Sequence, residues 1–421
     1  MSNLEQLIEE LCPDGVEYVF LESVLISLKT GLNPRKNFAL NTVDAMNYYV
    51  TVREIINGKI VFSEKTDKVN NEGLSLINNR SNLEKGDILF SGTGTVGRTA
   101  ILEDNPLNWN IKEGIYSIKP NQEIILSRYL GYLLNSYDIC NLYSKKIVGS
   151  PVCSLPMAEL KQLQIPLPPL PVQEEIVRIL DNFTELTAEL TAELTARKKQ
   201  YEYYREELLK FDKNKISHLP MGNDSVGKFI RGSGLQKKDF TEKGVGCIHY
   251  GQIYTYYGTY TSITKSFVSE EFSKKARMAK QGDLIIATTS ENDEDVCKAL
   301  AWLGNEEIAV SSDACFYTHK LIPKYVAYFF QTEQFQKQKR PYITGTKVRR
   351  VNANDLSKII IPVPPLSEQQ RIVDILDRFD TLCNDISSGL PAEIEARKKQ
   401  YEYYRDKLLT FPKSDKSENS I

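Results

Sequence analysis

The sequence lacks most of the features that announce a catalyst or a membrane protein. No apolar run approaches the ~20 residues that a membrane-spanning helix needs. The opening, Met1-Ser2-Asn3-Leu4-Glu5, has neither the basic start nor the apolar core of a secretory signal. Both absences point to a cytoplasmic protein without membrane contact. The seven cysteines are odd in number and scattered at 12, 140, 153, 247, 297, 315 and 383, with no CxxC pair. They read as reduced thiols that mostly fill cores. Only three histidines occur, His218, His249 and His319, and none lies in HExxH or another metal-ligand spacing. There is no Walker loop, no nucleophile elbow and no Asn-Pro-Pro-Tyr loop for amino methylation. The expectation is a chain with no catalytic residue and no metal of its own. A formal net charge of −2, from 53 basic and 55 acidic residues, excludes a polycation and an acidic disordered chain. It leaves DNA binding open, because that needs only a local basic face.

What the sequence does contain is itself, twice. Residues 196–205 read Ala-Arg-Lys-Lys-Gln-Tyr-Glu-Tyr-Tyr-Arg, and residues 396–405 repeat those ten in order. Upstream, Ile165-Pro166-Leu167-Pro168-Pro169-Leu170 answers Ile361-Pro362-Val363-Pro364-Pro365-Leu366, at an offset of 196. Fainter echoes pair Gly149–Val152 with Gly345–Val348, Tyr129 and Tyr132 with Tyr325 and Tyr328, and Lys85-Gly86-Asp87 with Gln281-Gly282-Asp283. Gly31-Leu32 aligns with Gly234-Leu235. The order is a globular unit (1–165), a shared segment (166–211), a second globular unit (212–360), a second shared segment (361–411) and a polar tail (412–421) expected to be disordered.

Each shared segment reads as a long helix. Paired prolines force extended chain and then release it into helix. Beyond them Ile176, Leu180, Phe183, Leu186, Leu190 and Leu194 recur every three or four residues, as do Ile372, Leu376, Phe379 and Leu382. Such a stripe must be buried, and the expected partner is the other copy, packed antiparallel as a coiled coil. The copies differ in one respect. The first carries Thr187-Ala188-Glu189-Leu190 and again Thr191-Ala192-Glu193-Leu194; the second has Gly389-Leu390-Pro391, which should break it. A four-residue unit is close to one helical turn, so adding or removing one preserves the stripe while moving everything beyond it by about 6 Å.

The globular units read as α+β. Residues 48–52, 59–62, 88–90 and 115–118 look like strands, as do 247–250 and 284–287; 126–136 and 324–338 look helical. The tempting motif is Phe90-Ser91-Gly92-Thr93-Gly94-Thr95-Val96-Gly97, which fits GxGxxG after a strand and the FxGxG loop of methyltransferases. Ligand binding there needs a following helix, whose N-terminus meets the ligand. Only Arg98–Leu102 precedes Glu103-Asp104-Asn105-Pro106, so a glycine-rich turn between two strands is the favoured reading. A methyltransferase in its own right and a purely structural coiled-coil adaptor remain as alternatives.

Charge is uneven. Residues 212–360 carry a net +6, whereas 1–165 carry −3. Basic residues crowd equivalent loops of both units: Lys29, Arg35, Lys36, Lys145 and Lys146 in the first, Arg231, Lys237, Lys238, Lys347, Arg349 and Arg350 in the second. Beside them lie Asn33, Ser150, Tyr250, Gln252 and Tyr254, residue types that read base edges or stack. Paired clusters in a duplicated unit point to two sites for one anionic partner.

In these features the chain resembles the specificity subunits of type I restriction-modification systems. The resemblance rests on the Ile-Pro-Leu-Pro-Pro-Leu segment with Gln173-Glu174-Glu175-Ile176-Val177, on Gln369-Gln370-Arg371-Ile372-Val373, on both Ala-Arg-Lys-Lys-Gln-Tyr blocks and on Gly86–Gly94. It implies two α/β target-recognition domains joined by two long antiparallel helices, each domain reading one half of a bipartite, asymmetric double-stranded DNA site. It implies two methyltransferase subunits as partners, and restriction/translocase subunits beyond them. Those partners would carry S-adenosylmethionine, ATP and Mg, and would perform adenine N6 methylation and cleavage; this chain would bind no cofactor. In that setting Thr93, Thr95 and Arg98 become candidate DNA contacts. The second unit has Ala287-Thr288-Thr289-Ser290-Glu291 in place of those glycines, so the two loops need not act alike.

Overall fold

The computed structural model describes residues 3–414. The chain forms two compact units, of which one is assembled from both ends of the sequence and the other is a single continuous stretch. One holds the residues up to Glu189 together with those from Ile394 onward; the other is Leu190–Glu393.

The first unit is built on an antiparallel sheet in the order Leu25–Thr30, Ile115–Pro120, Ile88–Ser91, Thr99–Ile101. A smaller sheet joins Lys68–Val69, Asn47–Val50 and Trp109–Ile111. Ile88–Ser91 is buried at every residue, which explains the apolar run Ile88-Leu89-Phe90. The second unit repeats the main sheet with one more strand: Gly227–Arg231, Ala314–His319, Leu284–Ala287, Ala299–Trp302, Tyr260–Thr261. A further five-stranded sheet lies outside it, centred on Val245–Ile248. The Gly-Asp motif is a turn in both units. Gly86 and Gly282 sit at φ of 89° and 93°, and the buried Asp87 and Asp283 accept from the backbone N–H of Glu84 and Lys280. Burial raises the pKa of both carboxyls.

Several expected elements are shorter or divided. The strand over 59–62 is confined to Lys59–Ile60. The strand expected over 247–250 stops at Ile248, because His249 caps a helix, Tyr250–Thr255, through its ring nitrogen. The helix expected over 324–338 is two, Pro323–Phe329 and Glu333–Lys339, since Thr332 accepts from Phe335 N and starts a new one. Gly31 corresponds in space to Gly232, not Gly234: a side chain at Gly31 would strike the Ile111 carbonyl and one at Gly232 the Ser311 carbonyl, whereas Gly234 has open space. Pro412–Ser414 is ordered, correcting the expectation of a disordered tail there: Val16 N donates to the Pro412 carbonyl at 2.9 Å and Ser414 N donates to the Val16 carbonyl at 3.0 Å. The remainder of the tail lies outside the described residues.

The first strut is one helix, Leu170–Leu208, of 39 residues, about 58 Å at ~1.5 Å per residue. It begins directly after Pro168-Pro169, with Pro171 in its first turn, where no donor is lost. The second is two helices of 19 residues each, Leu366–Asn384 and Leu390–Leu408, so the predicted break is real. Asp385 closes the gap by accepting from Ser387 N and from the Ser387 and Ser388 hydroxyls, which lowers its pKa to about 2.

The leucine stripe serves two purposes. Its first turns bury into each strut's own domain: Ile176 and Leu180 join the first core, Ile372 and Leu376 the second. Strut meets strut further along. In the second unit Tyr201 and Tyr204 stack on Phe379, with centroids 6.1 and 5.5 Å away, while Arg197 and Lys198 face Cys383 electrostatically. Later residues of one helix thus meet earlier residues of the other, the antiparallel arrangement expected. In the first unit Phe183 stacks on Tyr404 at 5.4 Å. Leu186, Leu190, Leu194 and Leu382 are half-buried.

The duplication persists in individual bonds. Tyr132 donates to Asp181 at 2.5 Å and Tyr328 to Asp377 at 2.6 Å. Arg128 and Lys324, also 196 apart, each reach the same aspartate at 2.7 Å. The buried Gln173 and Gln369 each bridge a proline carbonyl to the first turn of a neighbouring helix. These polar pairs tie each domain rigidly to the root of its strut.

Candidate nucleic-acid interface

Each domain carries one platform made of two loops. In the first, the segment after Ile88–Ser91 lies against the hairpin Val148–Ser154. Gly94 N donates to the Cys153 carbonyl at 2.8 Å, Leu155 N to the Gly92 carbonyl at 2.8 Å, and Thr93 Oγ1 lies 3.2 Å from Ser154 Oγ. In the second, Val351 N donates to the Thr288 carbonyl at 3.1 Å, and Thr289–Ser290 pairs with Arg349–Arg350. The hairpins match bond for bond: Val148 exchanges two hydrogen bonds with Ser154, and Thr344 two with Arg350. Gly149 and Gly345 sit at φ of 93° and 88°, where only glycine is comfortable.

The Gly92–Gly97 segment turns into a strand, Thr99–Ile101, and no helix follows it. Two of its three glycines make room for protein. A side chain at Gly92 would strike the Tyr116 ring, and one at Gly97 the Tyr143 hydroxyl. In the first platform Thr95 and Ser150 are exposed and Thr93 half-buried. Arg98 turns away, donating to the Val52 and Ile55 carbonyls at 3.2 and 3.4 Å, and so braces a neighbouring loop. Lys29 lies elsewhere, on the strand Leu25–Thr30 near Glu84. Arg35 and Lys36 are exposed on the turn that follows Pro34. Lys145 is exposed, and Lys146 is paired with Glu159 at 2.6 Å.

The second platform gathers more of the expected residues. Around the turn Ser311–Asp313, Arg231 Nε donates to the Ser312 carbonyl, Tyr250 N to Ser311 Oγ, and Thr288 N to the Asp313 carbonyl. That brings Arg231 and Tyr250 beside the strand pair bearing Arg349 and Arg350. Lys237 lies close enough to His249 to act, after burial, as the second cause of its lowered pKa. Lys238 is exposed beside it, and Lys347 is exposed on the hairpin tip. Gln252 is engaged within the fold, where its amide accepts from His249 N and donates to Ser266 Oγ, completing the helix cap. Tyr254 is likewise occupied, donating to the Thr289 carbonyl at 2.8 Å. The two arginines differ. Arg349 is bound to Asp293 Oδ1 at 2.8 Å and to the Gly345 carbonyl at 2.6 Å. Arg350 is exposed, and its guanidinium has no partner among the described residues.

Sequence reasoning overlooked Arg277, which donates to the Arg231 carbonyl at 2.9 Å, and the supports beneath both loops. Tyr143 lies under the first loop and Lys339, at the same place 196 residues on, under the second. Beyond the loop the offset becomes 200, so that Cys297 (φ 72°) stands for Gly97 and Lys298 for Arg98. Aligning the strand bonds of Ser91 with those of Ala287 would have exposed that four-residue insertion.

Comparison with known proteins agrees with this architecture. Residues 13–197 and 222–396 each match the family model described as the type I restriction modification DNA specificity domain. The chain is 35% identical over 271 residues to the EcoR124I/EcoR124II specificity subunit of Escherichia coli, an alignment covering 62% of this chain and 65% of that one. It is 32% identical over 340 residues to a putative type I specificity subunit of Haemophilus influenzae, covering 74% and 80%. Among solved structures, the fold is similar to the S subunit from M. genitalium (TM-score 0.51, 14% identity, 94% and 96% covered). It is also similar to the HsdS subunit from Thermoanaerobacter tengcongensis (TM-score 0.50, 18% identity, 96% and 99% covered).

Proposed function

The chain belongs to the type I restriction-modification DNA specificity family, and on that premise we propose how its parts divide the work. It is the specificity subunit, non-catalytic by itself; methyl transfer and cleavage belong to partner subunits. Each domain reads one half of a bipartite double-stranded DNA site through its two-loop platform. The carrying observation is that the same platform is built twice, bond for bond, on sequences that have diverged at the exposed positions. A shared scaffold with different outward residues is what two different half-sites require.

The struts space the two readers, leaving the intervening bases unread, and present docking sites for two methyltransferase subunits. Support comes from the exposed faces of the repeated blocks. Tyr203 and Tyr403 are 61% and 62% exposed; each meets its neighbouring tyrosine, Tyr204 or Tyr404, edge-on and leaves most of its surface outward. Two equal outward faces suit two copies of one partner. The complex works in the cytoplasm, and among the described residues no helix is long and apolar enough to cross a membrane. S-adenosylmethionine, ATP and Mg are bound by the partners. A methyltransferase role for the Gly92 loop is disfavoured by the strand that follows it and by the tyrosines that fill its glycine gaps.

The test is sequencing of methylated adenines in cells expressing this chain with its methyltransferase subunit. A bipartite motif with an unread gap is expected. Methylation without sequence preference would overturn the reading.

A further inference from the structure

In the second platform a lysine has been placed where no water reaches. Lys339 ends the helix Glu333–Lys339 and is fully buried, yet among the described residues its ammonium group forms no ion pair with a carboxylate. It donates instead to three backbone carbonyls, those of Asp293 at 2.8 Å, Glu294 at 3.0 Å and Val296 at 2.8 Å. A buried cation is costly unless its donors are satisfied, and here all three are. The consequence falls on the loop. With the carbonyls of 293, 294 and 296 drawn inward, the side chains of Asp293, Glu294 and Asp295 stay exposed. Asp293 thereby meets Arg349 at 2.8 Å.

The first domain meets the same need differently. Tyr143, the counterpart of Lys339, packs edge-on to Phe90 at 5.6 Å and lies against Gly97, supporting a shorter, neutral loop. The support has changed together with the loop it holds. An acidic loop beside a basic hairpin weakens attraction to phosphate, so affinity does not explain it. Arg349 keeps three of its five N–H donors after its bonds to Asp293 and Gly345. A guanidinium fixed by a carboxylate offers donors and an acceptor side by side, the complement of the acceptor and donor edges of a G·C pair in the major groove.

We propose that Lys339 is a positioning residue for base reading in the second domain: it shapes the loop so that Asp293 orients Arg349, and this pair specifies one G·C base pair of the half-site. The proposal rests on the DNA-specificity reading above.

The experiment is adenine-methylation sequencing of a randomised plasmid library, using the full chain with its methyltransferase subunit. Unaltered chain, Asp293→Asn and Lys339→Met are compared. Asp293 is exposed, so its variant retains the fold. The expected result for Asp293→Asn is a loss of at least about fivefold in preference at one G·C position of one half-site, with the other half-site intact. Lys339→Met should relax the same position. A merely structural role would lower total methylation without changing preference at a single position. Preference unchanged in Asp293→Asn, or relaxed across both half-sites, overturns the proposal. If the unaltered chain gives no bipartite motif, the specificity reading itself fails, which is a distinguishable outcome.

Discussion

The Asp406 carboxylate accepts a 3.0 Å hydrogen bond from the backbone N–H of Tyr137, the first residue of a helix 269 positions earlier in the chain. Its counterpart Glu206 does the same for Glu333 N at 2.8 Å. The end of each strut therefore caps a helix in the domain other than the one directly before it. The near-identity of the struts follows physically: each must fit the same surface, made of the same helix N-terminus and the same tyrosine–aspartate root. Asp406→Ala removes an N-terminal cap and should lower the stability of the first unit by about 1 kcal/mol. Chemical denaturation would show it, and Glu206→Ala should act equally on the second unit. An unchanged midpoint in both would remove the caps from the account.

Acid should weaken the second unit through His319. Burial lowers its pKa to about 4, and its Nε2 is buried without a partner among the described residues. The folded state holds the neutral ring, while the unfolded chain takes up a proton below its ordinary value of 6.5. Stability contributed by this group is present above pH 6.5 and is lost as pH falls toward 4, by roughly 3 kcal/mol. Unfolding midpoints measured across that window should fall steeply in the natural chain and less steeply in His319→Leu. Parallel slopes would count against the buried ring as the cause.

Arg350 should behave as a phosphate contact. Its guanidinium is exposed and unpaired among the described residues, unlike that of Arg349. Arg350→Ala should weaken binding to specific and nonspecific duplexes alike and reduce the salt slope by about 1. Fluorescence anisotropy of the assembled complex over a salt series reads this directly. A loss restricted to one sequence would make Arg350 a base reader instead.

Deleting Thr191–Leu194 shortens a helix that is continuous through that point. About 6 Å is lost, between one and two base-pair steps of about 3.4 Å. Methylation mapping should show the gap between half-sites reduced by about one base pair with both half-sites unchanged. An unaltered gap would refute the strut as a ruler.

Much of this was legible in the residues themselves. The ten identical residues exposed the duplication, Pro391 located the strut break, and Pro106 left no room for a helix behind Gly97. Hidden features are those fixed by distant partners. Nothing local to Lys339 says that three carbonyls some 45 positions earlier will surround it. Thr332 divides a helix because its hydroxyl caps the next one, a bond that competes with an otherwise helical pattern. Pro412–Ser414 is polar and terminal, yet Val16 holds it. Gln252 and Tyr254, plausible as base readers by type, are occupied by the fold. Arg349 and Arg350 are adjacent in sequence, and only the folded hairpin and the loop opposite distinguish them.

The most direct test of the central claim is a hybrid chain in which residues 222–360 are exchanged for the matching domain of the Escherichia coli relative, followed by methylation mapping with the cognate methyltransferase subunit. The account predicts that one half of the motif persists while the other is replaced. Retention of both halves, or replacement of both together, would contradict it.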